Sequence, residues 1–256
     1  MIENPVGFRT LVKREVLRFF VVFSQTLLAP MVSSTLFIFV FGYSLGGRMS
    51  LSIDGAPYLQ FIIPGLVMMH LIESPYANTS SSLFMSRWHN LIQEILLSPL
   101  SYFEMVLGLL IGGVTRGMLV GSIVYGISLF FCQFLFYSWP VVLYFFLMIP
   151  LIFALLGLLV GLWAEGFDKL SFWSTFVLTP LVYFGGVFHS IEMVPAPLQW
   201  VTRLNPIFYF VSGLRYGMLG VSDVDVRISM ALAVVMAVGL FILVERLFRA
   251  GYKLRS

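Results

Sequence analysis

Apolar residues fall into six long stretches along the chain, parted by short polar, glycine- or proline-bearing breaks. A bilayer core of about 30 Å needs about 20 mainly apolar residues per helix. On that measure the stretches predict membrane spans over residues 21–45, 58–81, 104–132, 140–163, 171–189 and 228–248. Residues 46–57, 132–140 and 164–170 read as short turns. Ahead of the first span, Pro5–Phe20 mixes Arg9, Lys13, Arg14 and Arg18 with Phe8, Leu11, Val12, Leu17, Phe19 and Phe20. That mixture predicts a helix over residues 1–20 lying in the membrane interface. The expected class is an all-α polytopic membrane protein, with residues 1–256 forming one transmembrane domain.

One segment breaks the pattern. Gly185–Arg215 is too apolar for a soluble loop and too interrupted for a span, with Pro195, Pro197 and Pro206 cutting it and Glu192, Arg203 and Arg215 punctuating it. Non-helical backbone is tolerated at membrane depth only where protein covers it or water fills a cavity. Gly185-Gly186, followed by Phe188, permits a sharp break after the fifth span. Pro197 is placed to start a short helix through Leu204, and Pro206, after Asn205, to start another. Neither is long enough to cross. Residues 185–220 are therefore expected to be re-entrant, dipping in from the outer face between spans five and six. Arg215 falls inside the second piece and needs a partner or water; Glu192 is one candidate.

Charge placement supports the same count. Arg9, Lys13, Arg14 and Arg18 precede the first span, and Arg246, Arg249, Lys253 and Arg255 follow the last. Basic flanks favour the cytoplasm, so both termini are expected inside, which requires an even number of spans. After about twenty residues with four basic side chains, the first apolar run is too long and too proline-interrupted for the core of a cleavable leader, and no small-residue cleavage site follows it; span one reads as a retained anchor. Tyr43, Tyr58, Tyr102, Tyr137, Trp139, Trp163 and Trp173 fall near span ends, as an aromatic belt requires.

Between spans two and three, Ser86–Ser101 reads SRWHNLIQEILLSPLS. Trp88, Leu91, Ile92, Ile95 and Leu96 make one apolar stripe at helical spacing, while Arg87, His89, Asn90, Gln93 and Glu94 cover the other face. Ser86 is a suitable N-cap and Pro99 a stop. A short cytoplasmic amphipathic helix is predicted. Two readings of it stand side by side, a helix resting on lipid and a docking element for a cytoplasmic partner.

Opposite charges also lie inside spans. Glu73 is about 12 Å from the inner end of span two and Arg116 about 18 Å into span three, by helical rise. Such groups face the bundle interior, pair, or mark a pathway. A structural salt bridge and a place on a substrate path are both open. His70 lies one turn before Glu73, but the pair lacks further metal ligands. Gly113, Gly117 and Gly121 put small residues on one face of span three, which suits close helix packing.

Composition removes other classes. With 59% hydrophobic and 11% charged residues, against about 25% charged in soluble domains, little chain is left for a soluble domain. The net charge of +3 resides in the membrane flanks, so nucleic acid is not an expected partner. A single cysteine, Cys132, excludes an intramolecular disulfide. There is no phosphate-binding G-x-x-x-x-G-K-[ST] loop and no hydrolase or zinc-protease motif. The chain is expected to bind no cofactor and to be no enzyme.

The stretches Phe61–Met69 (FIIPGLVMM), Glu94–Ser101 (EILLSPLS) and Phe176–Phe210 (FVLTPLVYFGGVFHSIEMVPAPLQWVTRLNPIFYF) resemble the membrane subunits of bacterial ABC transporters of the type-2 exporter permease family. The similarity runs over essentially the whole chain. It implies an inner-membrane permease in which two subunits pair as a homodimer, each meeting a separate cytoplasmic ATPase that carries ATP and Mg. It further implies that Ser86–Ser101, with Trp88, Leu91, Ile92, Glu94, Ile95 and Leu96, is the coupling helix. Spans one and five would make the subunit contact, spans two and five the path, and the re-entrant segment an outer cap. The implied cargo is an amphipathic lipid, lipid-linked glycan or drug. The rival is an ion-coupled secondary transporter using His70, Glu73 and Arg116 as a proton relay. Such a carrier should show an internal repeat, and none is visible. A membrane enzyme lacks a convergent set of polar residues.

Overall fold

A computed structural model describes residues 4–41, 52–53, 56–132 and 136–254. Tyr43, Arg255, most of the predicted 46–57 turn and residues 133–135 lie outside the described residues. The chain is helical almost throughout: α1 (Pro5–Val21), α2 (Ala29–Phe39), α3 (Tyr58–Trp88), α4 (Ile92–Leu97), α5 (Tyr102–Ser128), α6 (Trp139–Trp163), α7 (Phe167–Phe172), α8 (Thr179–Phe184), α9 (Ala196–Leu204), α10 (Pro206–Leu219) and α11 (Val226–Arg249). Ahead of α3, the two-residue strands β1 (Ser52–Ile53) and β2 (Ala56–Pro57) pair antiparallel.

Three helices, α5, α6 and α11, are each long and apolar enough to cross a bilayer. The run from α1 through α2 passes the same test as one unit, bent by 75° between Pro5–Val21 and Ser24–Phe39. A π-helical turn, Ser24–Leu28, follows that bend, so the predicted first span starts irregularly. Thr26 stabilises the bend by donating its hydroxyl to Phe19 O at 2.7 Å. A second π-helical turn, Trp173–Leu178, joins α7 to α8. This fifth helical run ends at Phe184, short of the predicted residue 189.

α3 is the centre of the bundle. It packs lengthwise between α5 and α6 and meets α10 as well. Its 31 residues give a length of about 46 Å, well beyond the predicted 58–81. The extra turns, residues 82–88, carry Ser82, Ser86 and Arg87. The glycine face of α5 does what its spacing predicts: a Cβ at Gly113 would stand 2.6 Å from Thr79 Cγ2, and one at Gly121 2.6 Å from Leu71 Cδ2.

α1 forms where expected, but its inward face is covered by protein. Leu11, Glu15 and Phe19 are buried, with Leu11 over Gly108 and Glu15 over Gly112 of α5. Glu104 joins the starts of the two helices. Its Oε1 accepts from Asn4 N at 3.1 Å, and its Oε2 accepts from Ser101 N at 2.8 Å in a capping box that starts α5.

Candidate functional site

Both described chain ends come to one end of the bundle, beside the α3–α5 connection. Asn4 bonds Glu104 at the start of α5. At the other terminus, Lys253 O accepts from Arg87 Nε at 2.7 Å, and Lys253 Nζ donates to Trp163 O at 3.2 Å. Arg87 also donates Nη1 to the carbonyls of Gly161, Leu162 and Ala164 at 2.8, 2.8 and 3.0 Å. Those are carbonyls that the last turn of α6 cannot satisfy internally, and a cation there also complements the helix dipole. Sequence reading put Arg87 merely on the polar side of an amphipathic helix. Glu165 completes the cluster, bonded by Lys253 Nζ at 2.6 Å and by Lys169. These two lysines hold its carboxyl down at about 2, against an ordinary 4.5.

The predicted helix over Ser86–Ser101 is not one element. α3 continues through Ser86 to Trp88, so Ser86 is no N-cap. Asn90 then adopts φ 60°, a left-handed conformation that asparagine tolerates and that ends the helix. α4 begins at Ile92 and stops at Leu97, two residues before Pro99. The predicted stripe divides accordingly. Ile92 and Ile95 are buried in a core with Leu83, Met105 and Leu254. Leu96 is half-buried, and Trp88 packs on Phe84 and Phe167. Leu91 and Glu94 are exposed, and so is Leu97, at 86% the most open large apolar side chain nearby. Leu97 went unnoticed in the sequence because it lies off the stripe.

The Gly185–Arg215 segment occupies the opposite end. α8 closes when Gly185 N bonds Val182 O at 3.1 Å, and Gly186, at φ +79°, turns the chain. The turn lies against α3 at Gly65, where a Cβ would stand 2.2 Å from Val187 O. Phe188 stacks with Phe37, Phe41 and Tyr183. Pro195 is the N-cap of α9, with Pro197 in its first turn. Asn205 caps α10 by accepting from Ile207 N at 3.0 Å, and its Nδ2 ties that helix start to Leu181 O at 2.6 Å. Pro206 opens α10, as its position after Asn205 predicts.

Arg215 is buried and its ion-pair partner is Asp223, not Glu192. Arg215 Nη1 lies 2.9 Å from Asp223 Oδ2, Nη2 donates to Gly186 O at 2.7 Å, and the guanidinium sits 3.8 Å over the Phe61 ring. Asp223 Oδ1 accepts from Ser190 Oγ at 2.7 Å and from Ile191 N at 3.3 Å. One carboxylate thus links the end of α10 to the turn after α8. Sequence reading missed Asp223 because it lies beyond the apolar segment.

The comparisons with known proteins decide what this arrangement belongs to. The family model described as ABC-2 type transporter matches residues 6–219. Inner membrane transport permease YadH of Escherichia coli (strain K12) is 40% identical over 251 residues, covering 98% of both chains. Nodulation protein J of Rhizobium meliloti (strain 1021) is 28% identical over 221 residues, covering 83% of this chain and 82% of the relative. The chain belongs to the ABC-2 type transporter family.

As an ABC-2 permease the chain is a multi-pass membrane subunit of an ABC transporter, and its family implies an ATPase partner subunit. His70 is buried on α3 and shares a 2.6 Å hydrogen bond with Ser34 Oγ of α2. Among the described residues no ion pair joins Glu73 to Arg116. No group of metal-binding side chains occurs among them either. An apolar cavity of about 390 Å³ opens between α3, α6 and the π-helical turn before α8, with Tyr76, Phe153, Trp163 and Trp173 among its walls.

Proposed function

We propose that this permease is the path-forming subunit of an ATP-driven exporter in the bacterial inner membrane, working as a homodimer with two ATPase subunits. It crosses the membrane six times, with α2, α3, α5, α6, the α7–α8 run and α11 as spans and both termini in the cytoplasm. α9 and α10 re-enter from the outer side and cap the route. The observation that carries this reading is the end of the bundle holding both chain ends. There Leu91, the N-cap of α4, and Glu94 and Leu97 on it face outward while Arg87 ties the adjoining turn of α3 to the end of α6. A push on α4 reaches α3 through the short turn at Asn90 and, through Arg87, the end of α6. Basic residues at the same end support its cytoplasmic placement.

ATP closure of the partner pair moves α4, and the spans exchange inward for outward access. The chain supplies the path and the partner supplies the free energy. The cargo is an amphipathic molecule of lipid, glycan-lipid or drug type; the apolar cavity beside Tyr76 and Trp173 supports an apolar tail. The ion-coupled rival is not favoured, because His70 is bonded to Ser34 and no ion pair joins Glu73 to Arg116 among the described residues. Co-purification with a cytoplasmic ATPase tests the proposal: its activity should rise in the complex and fall back in Leu97→Asp, and an ATPase indifferent to this subunit would sink the reading.

A further inference from the structure

Two buried N–H groups near α1 lack an acceptor among the described residues, Asn78 Nδ2 and Arg116 Nε, while Arg18 Nε beside them lies 3.5 Å from Glu15 Oε2. Helix register brings them to one cleft. α1 runs beside α5 with Glu15 over Gly112, and α3 runs beside α5 with Thr79 against Gly113 and Pro75 against Gly117. Arg116 is four residues beyond Gly112 and three beyond Gly113. It therefore leaves α5 between the two contacts, one turn beyond the Glu15–Gly112 contact and so level with the Arg18 turn of α1. Arg18 enters the same cleft from α1. Its Nη2 donates to Asn78 O at 2.6 Å and Asn78 Oδ1 at 2.9 Å, and its Nη1 to Ser81 Oγ at 3.4 Å. Arg18 is also the charged neighbour that acts on Arg116.

The charges in the cleft do not balance. Glu15 is fully buried and pairs with Arg14 at 2.8 Å and Arg18 at 3.5 Å, and its Oε2 already accepts from Ser82 Oγ at 2.7 Å. Among the described residues no ion pair reaches Arg116. Arg14 lies at the solvent edge with 42% of its side chain exposed, so two guanidiniums, those of Arg18 and Arg116, stand against one carboxylate, an excess of 2 − 1 = +1. Unpaired donors and like charges are costly where water is excluded. Both orphan groups are donors, so the missing partner is an acceptor, and the charge excess makes it an anion.

We propose that the cleft between α1, α3 and α5 binds the phosphate group of an amphipathic molecule, held by the guanidiniums of Arg18 and Arg116 with the Asn78 amide as a third donor. Planar guanidinium forks match phosphate oxygens two at a time. Asn78 is fully buried and its backbone O and Oδ1 are both held by Arg18, so it fixes the anion's position instead of merely attracting it. The site sits at the elbow between α1 and the first span. The proposal stands whether or not ATP drives the transporter.

The test uses the full chain purified in neutral detergent and native mass spectrometry with phosphatidylglycerol, with diacylglycerol of the same tails as a phosphate-free control, and with pyrophosphate. The wild type should retain phosphatidylglycerol in preference to diacylglycerol. Arg116→Gln should weaken retention about tenfold, as loss of one charge-assisted hydrogen bond implies. Asn78→Asp should do the same while preserving elution volume, because it keeps the acceptor for Arg18 and supplies the missing anion internally. Arg9→Gln, exposed on α1, should bind as the wild type. Retention of phosphatidylglycerol marks a lipid headgroup as the source. Thermal stabilisation by pyrophosphate alone, lost in both variants, marks a phosphate from elsewhere. Equal retention of diacylglycerol, or undiminished phosphate binding by Asn78→Asp and Arg116→Gln, would overturn the proposal.

Discussion

Arg215 and Asp223 form an ion pair at 2.9 Å with 1% and 5% of their side-chain surfaces exposed, and it closes the helix pair at one end of the bundle onto the turn after α8. Breaking a buried pair from one side leaves an uncompensated charge, at a cost of about 3–5 kcal/mol. Arg215→Ala should therefore lower unfolding stability in detergent by about that much. Arg215→Met with Asp223→Asn should recover part of the loss, since two neutral groups replace one orphan charge. Equal losses in the single and double variants would contradict this account.

Gly65 is a second lock at the same place. A Cβ there meets backbone, Val187 O at 2.2 Å, and not the yielding tip of a side chain. Gly65→Ala should cost about 1–3 kcal/mol, the range for overpacking, and should raise the accessibility of a cysteine placed at Phe188 to a thiol reagent. An unchanged labelling rate would show that the turn does not rest on α3.

Two isoleucine and leucine positions on α4 should behave oppositely. Ile95 is buried and Leu97 is 86% exposed. Ile95→Asp buries a charge and should reduce the amount of folded protein in the membrane. Leu97→Asp should insert and elute normally yet lose stimulation of the partner ATPase by about tenfold or more, as expected of a docking residue worth above 1.4 kcal/mol. Measuring both insertion and ATPase activity for the pair separates folding from docking. Normal stimulation by Leu97→Asp would remove α4 from the interface.

Glu165 sets an acid limit. Its carboxyl is held at about 2 by Lys169 and Lys253. A depressed folded value contributes stability that is fully present above the ordinary 4.5 and is lost as pH falls from 4.5 through about 2. Thermal unfolding curves of the wild type and Glu165→Gln should keep a constant separation between pH 7 and 5. The separation should shrink below 4.5 as the wild type loses its advantage. A separation that shrinks near neutral pH would contradict the assignment.

Much of the bundle was legible because membrane helices need long apolar runs and proline and glycine mark where they cannot continue. The predicted 140–163 and 228–248 stand against Trp139–Trp163 and Val226–Arg249, and Pro197, Asn205 and Pro206 each mark a real helix start. What stayed hidden was chosen by tertiary partners. Asn90 ends α3 through a left-handed backbone that nothing in an amphipathic stripe reveals. Arg87 is polar in sequence but serves the carbonyls of a helix about 75 residues away. Glu73 and Arg116 have opposite signs at similar depth, yet no ion pair joins them among the described residues. Depth alone does not say which way a side chain faces.

The central claim is that ATP on a partner subunit drives this chain through the α4 end of the bundle. Transport of a fluorescent amphipathic lipid should be measured in proteoliposomes holding this chain and its cytoplasmic ATPase, with ATP or a proton gradient as the sole energy source. The account predicts transport with ATP, none with the gradient alone, and loss of the ATP-driven signal in Leu97→Asp. Transport that runs on the gradient without ATP would contradict it.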